Sequence, residues 1–150
     1  MNFQSESKRS GDEFEDAVLN DLKERNFFEI KKNIYMPGTG CEVDFVAYGD
    51  RIEHIESKGG RDESGKRPGA QRTDNVKKAV ANGALIKARY PDVYYVVYFS
   101  AKPITNSSSD EMIDTALCYK IIDEVRYISN RPKYSSQLEL DIDLSKKAGE

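Results

Sequence analysis

An α/β domain with a mixed central sheet flanked by helices is what this sequence predicts, in the order αβββαβ and followed by a C-terminal helix and strand. Three observations predict it. Apolar residues recur at helical spacing from Phe14 to Leu22, and β-rich runs follow between residues 27 and 58. Residues 93–99 are apolar on both faces, as a strand covered by helices must be. At 150 residues the chain fits one domain, and 38% hydrophobic residues, with nine Tyr and six Phe, suffice for a core. No apolar run approaches the roughly 20 residues of a membrane span, and residues 1–9 lack a signal-peptide core. A cytoplasmic protein with no membrane partner is expected. Cys41 and Cys118 are too few for a disulfide framework and, with one His, for a Cys/His zinc site, so reduced thiols are expected.

Residues 1–9 are polar and aperiodic and read as a flexible arm. Ser10 with Glu13 forms a capping box, so a first helix is expected from about Gly11 to Arg25, carrying Phe14, Ala17, Val18, Leu19 and Leu22. Glu15 falls inside that apolar stripe, where a carboxylate is costly unless something pairs with it. Phe27, Phe28, Ile30, Ile34 and Tyr35 suggest a first strand, ended by a plain turn at residues 37–40. Two runs of β-formers flank Gly49-Asp50 and read as a β-hairpin.

Residues 59–70 are too rich in Gly and charge for regular structure, and read as a flap that orders on nucleic acid. Thr73 or Asp74 is expected to cap a second helix reaching about Arg89, with Val76, Ala79, Val80, Gly83 and Ala84 toward the sheet. Ser109 or Asp110 opens a third helix through Met112, Ile113, Ala116, Leu117 and Ile121, extended as far as Val125. Residues 138–144 alternate strictly and predict a strand with one acidic, solvated face; residues 145–150 read as a tail.

The chemistry concentrates in the hairpin. One arm carries Asp44; the other carries Glu56 and Lys58, which share a strand face. Two carboxylates suit a hard divalent cation, which takes oxygen ligands, and a neighbouring lysine can orient an attacking water or stabilise charge on a phosphoryl group. The pairing register then matters. A two-residue turn at Gly49-Asp50 would set Asp44 opposite Ile55 and leave Asp44 and Glu56 on opposite faces. A shared site requires a three-residue turn over Gly49-Asp50-Arg51, with Gly49 at positive φ, or a β-bulge; either sets Asp44 opposite Glu56 and Phe45 opposite Ile55.

Asp44 followed by Glu56-Ser57-Lys58 resembles the PD-(D/E)XK nuclease superfamily, with Val43 where the motif's name has Pro. Gly11-x-x-Phe14-Glu15-x-x-Val18-x-x-x-Leu22 is similar to the first helix of many members, whose Glu completes the acidic cluster. The resemblance spans roughly residues 11–100 and implies a restriction-endonuclease-like core and a metal-dependent endodeoxyribonuclease. It implies Glu15, Asp44, Glu56 and Lys58 as catalytic residues. Glu15, Asp44, Glu56 and the Ser57 carbonyl would bind Mg²⁺, with Mn²⁺ able to substitute.

Charge distribution points the same way. The net charge is −3, yet residues 58–90 hold nine basic residues against three acidic ones, directly after the metal strand. Arg61, Lys66, Arg67, Gln71 and Arg72 are the expected DNA contacts, the last two at a helix N-terminus whose free N–H groups face an anion. Lys77, Lys78 and Lys87 read as solvated, and His54 as a bystander on the Glu56 face. One such site cuts one strand, so duplex cleavage would need a homodimer. The alternatives are a catalytically inactive nucleic-acid-binding module and a protein-interaction module on the same fold.

Overall fold

The computed structural model describes residues 3–60 and 67–128, with side chains from residue 11 onward. The elements are α1 (Phe3–Glu24), β1 (Glu29–Met36), β2 (Cys41–Tyr48), β3 (Ile52–Lys58), a 3-10 turn (Gly69–Gln71), α2 (Thr73–Arg89), β4 (Tyr94–Phe99), α3 (Ser108–Cys118) and β5 (Glu124–Tyr127). The strands form one sheet in the order β1-β2-β3-β4-β5; β1, β2 and β3 are antiparallel neighbours, and β3, β4 and β5 run parallel. The protein is thus α/β, with a five-stranded mixed sheet and three described helices. No described helix is long and apolar enough to cross a membrane.

Alternation along β4 sorts the core into two layers. Val96 and Tyr98 meet Phe14, Val18 and Leu22 of α1; Tyr95, Val97 and Phe99 meet Val76, Ala79 and Ile86 of α2 and Ile113 and Ala116 of α3. β4 is the buried central strand its two apolar faces predict. Edge strand β1 exposes Glu29, Lys31, Lys32 and Asn33, charged and polar groups that discourage pairing with another chain.

Several boundaries correct the sequence reading. Helix α1 begins at Phe3, so residues 3–9 are not an arm and Ser10 and Glu13 lie inside the helix rather than at its start. Once α1 is anchored on the sheet, each further residue adds a hydrogen bond, and residues 3–9 contain neither Gly nor Pro to stop it. Neither Thr73 nor Asp74 caps α2: the N-cap is Arg72, without a side-chain bond. On α2, Ala84 is exposed and Ile86 takes a core position.

Helix α3 is capped by the Ser107 hydroxyl, which accepts the Asp110 N–H, and ends at Cys118. Lys120, at φ 55°, turns the chain, and the Ile121 N–H reaches back to the Ala116 carbonyl. Val125 therefore lies not in the helix but in β5, which pairs with β4. The strand expected at residues 138–144 lies outside the described residues.

The hairpin has the register that the shared site requires. Phe45 pairs with Ile55, Val46 with His54 and Tyr48 with Ile52, so the connection is the three-residue turn Gly49-Asp50-Arg51. Its chemistry differs from expectation, because Gly49 is not among the residues at positive φ. Glycine is needed there for space: a Cβ would fall 2.8 Å from the Phe27 ring, which packs across the turn.

Candidate active site

The geometry starts at a break in the sheet. The β1–β2 ladder is regular on both sides of Asn33 and Asp44 but skips that pair, and Asn33 sits at φ 52°. The alternation reverses there. Ile30 packs in the α1 layer and Ile34 in the α2 layer, while Phe45 and Ala47 join α1 and Cys41 and Val43 join α2. Residues an even number apart should share a face, so both strands change phase beside Asp44. Freed from the ladder, Asp44 lies where the two faces meet.

The β2–β3 pairing also stops at Phe45–Ile55, one step short of Asp44–Glu56. In its place Asp44 Oδ2 accepts the Ser57 N–H at 2.7 Å and the Ser57 hydroxyl at 2.9 Å. The carboxylate is thereby fixed beside β3.

Glu56 and Lys58 project together on the α2 face. Lys58 Nζ donates to Glu56 Oε1 at 2.6 Å, and Glu56 Oε2 is buried without a hydrogen-bond partner among the described residues. Glu56 is only 4% exposed. Burial first, and then the Asp44 charge, push its pKa from the ordinary 4.5 up to about 7, against the pull of Lys58 and Asn82. Glu15 is raised as well, first by burial and then by Asp44, with Asp12 and Asp16 adding to it and Lys32 opposing. Asp44 is therefore the shared neighbour of Glu15 on one side and Glu56 on the other. Among the described residues no three His, Cys, Asp or Glu side chains form a group that could hold a metal ion.

Of the expected nucleic-acid contacts, Arg61 and Lys66 lie outside the described residues. Arg67 and Arg72 are exposed and Gln71 is half-buried. Their turn abuts the carboxyl end of the site strand: the Ser100 N–H reaches the Lys58 carbonyl at 3.4 Å, and the Ala70 N–H reaches the Ala101 carbonyl at 3.0 Å. Gly69 allows that approach, since a Cβ there would fall 2.4 Å from the Ala101 nitrogen. Lys87 is committed elsewhere, to Asp123 at 2.5 Å. His54 is half-buried on the Glu56 face, with Nδ1 unpartnered among the described residues, and burial lowers its pKa.

Sequence reasoning missed Asn82, Lys32 and Asn33. Asn82 lies beside Glu56 and also accepts a weak bond from Cys41 Sγ at 3.7 Å. The test that singled out Glu15 would have found Asn82, a polar residue on the apolar stripe of Ala79 and Ile86. Lys32 and Asn33 leave no comparable mark on an edge strand that is polar throughout.

The raised Glu56 pKa gives stability a pH dependence. The folded state binds this proton more tightly than the unfolded chain, so the contribution is complete below about pH 4.5 and is lost as pH rises through about 7. The difference amounts to about 3 kcal/mol. Without added metal, urea unfolding from pH 5 to 8 should show wild type losing stability relative to Glu56→Gln. Parallel pH profiles would refute the assignment.

Comparison with protein-family models and with curated proteins yields no match.

Proposed function

We propose that this protein is a metal-dependent endonuclease of the PD-(D/E)XK type, hydrolysing DNA phosphodiester bonds at the Asp44–Glu56–Lys58 site. The observation that carries this reading is the Asp44–Glu56 pair beside Lys58. Two carboxylates couple where two strands splay, one is almost fully buried with Oε2 lacking a hydrogen-bond partner of good geometry among the described residues, and an ammonium sits 2.6 Å from its other oxygen. A structural ion pair needs no second carboxylate beside it, and the repulsion here is a standing cost. The order α1, β1–β3, α2, β4 and the Glu15 position are consistent with a restriction-endonuclease-like core.

The donor set fits Mg²⁺ or Mn²⁺. Mg²⁺ is usually held by one or two carboxylates, with water and substrate phosphate oxygens completing its shell, so Asp44 and Glu56 suffice without a cage of three. Glu15, across Asp44, adds negative charge, and the Ser57 carbonyl is the remaining candidate ligand. A divalent cation there would neutralise charge on the reacting phosphoryl group and acidify a bound water.

The protein's own groups do the rest. Ser57 fixes Asp44 through two hydrogen bonds, and Glu56 holds the Lys58 ammonium, leaving its other N–H groups for a phosphoryl oxygen or the attacking water. Arg67 and Arg72 beyond the carboxyl end of β3, and Lys32 on β1, offer cations for the flanking phosphates.

The test is incubation of purified protein with supercoiled plasmid and Mg²⁺, with a chelator control. Nicked or linear product that depends on Mg²⁺ is expected. Intact plasmid across a wide range of protein and metal concentrations would sink the reading.

A further inference from the structure

On the α1 face, a chain of hydrogen bonds runs from the sheet interior to helix α1. Arg126 of β5 is gripped by Glu53 through Nη1 at 2.8 Å and Nη2 at 2.9 Å, and its Nε also contacts Glu124. The same Nη1 donates to the Tyr98 hydroxyl at 2.9 Å, and that hydroxyl donates to Asp21 Oδ2 of α1 at 2.6 Å. Arg25, one turn further along α1, closes on the same Asp21 oxygen at 2.8 Å. Tyr98 is fully buried, so its hydroxyl is held from two sides with no freedom to swing.

Helix geometry ties this contact to the candidate active site. At about 100° per residue, Asp21 and Glu15 flank the buried stripe of Phe14, Val18 and Leu22 on opposite sides. Asp21 faces β4 and β5, and Glu15 faces Asp44 of β2 and Lys32 of β1. Any roll of α1 about its axis moves the two carboxylates together. The other end of the stripe is seated by Phe14 on Gly59, directly after Lys58, where a Cβ would lie 2.2 Å from the Phe14 ring. Apolar packing sets the height of the helix above the sheet and seats it at Phe14, and the directional Tyr98–Asp21 bond, on the flank opposite Glu15, adds an angular restraint on its roll.

We infer that Tyr98, held by Arg126, is a positioning residue that fixes the roll of α1 so that the Glu15 carboxylate stays against Asp44. The inference rests on the metal-site reading above, and its test separates the two. Mn²⁺ affinity is measured by calorimetry on wild type, Tyr98→Phe, Glu15→Gln and the double variant, with the melting temperature of each. Tyr98→Phe should weaken Mn²⁺ binding about 10-fold, the effect expected of an outer partner that orients a ligand. In the Glu15→Gln background the same change should have no further effect on affinity, although it should lower the melting temperature equally in both.

Affinity losses that add across the two substitutions, or a Tyr98→Phe affinity equal to wild type, would overturn the inference alone. A wild type that takes up no Mn²⁺ would overturn it together with the metal site. Should Tyr98→Phe fail to fold, Asp21→Leu removes the same bond from the half-exposed side of α1 and is read in the same way.

Discussion

On the proposed nuclease reading, replacing Lys58 by Ala is expected to lower Mg²⁺-dependent plasmid cleavage by roughly 10²–10³-fold, the usual loss for removing one group that stabilises transition-state charge. The fold should survive. Lys58 is 20% exposed at the rim of the site, and its hydrogen bond to Glu56 is local to β3. Its removal would strand the Glu56 charge, but that carboxyl already titrates at about 7 and can take a proton instead. Single-turnover cleavage and a thermal melt of the same preparation separate the two effects. A variant that cleaves within a factor of two of wild type would remove Lys58 from the chemistry.

The largest loss of stability is expected at the opposite end of β3. Arg126→Ala leaves Glu53, 2% exposed, with its bidentate partner gone. Arg51 reaches Glu53 Oε2 at 3.0 Å but is itself half-exposed and shared with Glu124, so it compensates little. An uncompensated buried carboxylate costs about 3–5 kcal/mol, which in a domain of this size lowers the melting temperature by on the order of 10 °C. The paired replacement Glu53→Leu with Arg126→Met should recover most of that loss, because it removes both desolvation costs. A single variant that melts within 2–3 °C of wild type would show that Arg51 or water compensates Glu53 after all.

How far the sequence could be read follows from the range of each signal. Two-residue alternation and helical stripes are local, and they located every described strand but β5 and every helix, though not their ends. Glu15 stood out because a carboxylate beside the apolar residues of α1 contradicts its surroundings, and the hairpin register could be narrowed to a three-residue turn or a bulge because a two-residue turn would part Asp44 from Glu56. The α1 start was misread because a capping box marks where a helix can begin, not where it must. β5 was lost because Ile121 and Val125 also fit the period of α3. The Glu53–Arg126–Tyr98–Asp21 chain could not have been read at all. Its members lie up to 77 positions apart in hydrogen-bonded pairs, and a charged residue on a strand has no local sign of whether it faces water or an unseen partner. The break beside Asp44 was hidden in the same way, since Asn33 takes its left-handed turn without a glycine to announce it.

Calorimetric titration of Mn²⁺ at pH 8 into wild type, Asp44→Asn and Glu56→Gln tests most directly the proposed joint binding of a divalent cation by Asp44 and Glu56. Wild type should bind one or two equivalents, and each variant should bind at least tenfold more weakly, because either substitution removes a charged oxygen donor and leaves its neighbour alone. Equal Mn²⁺ binding by all three proteins, or none by wild type, would contradict the account.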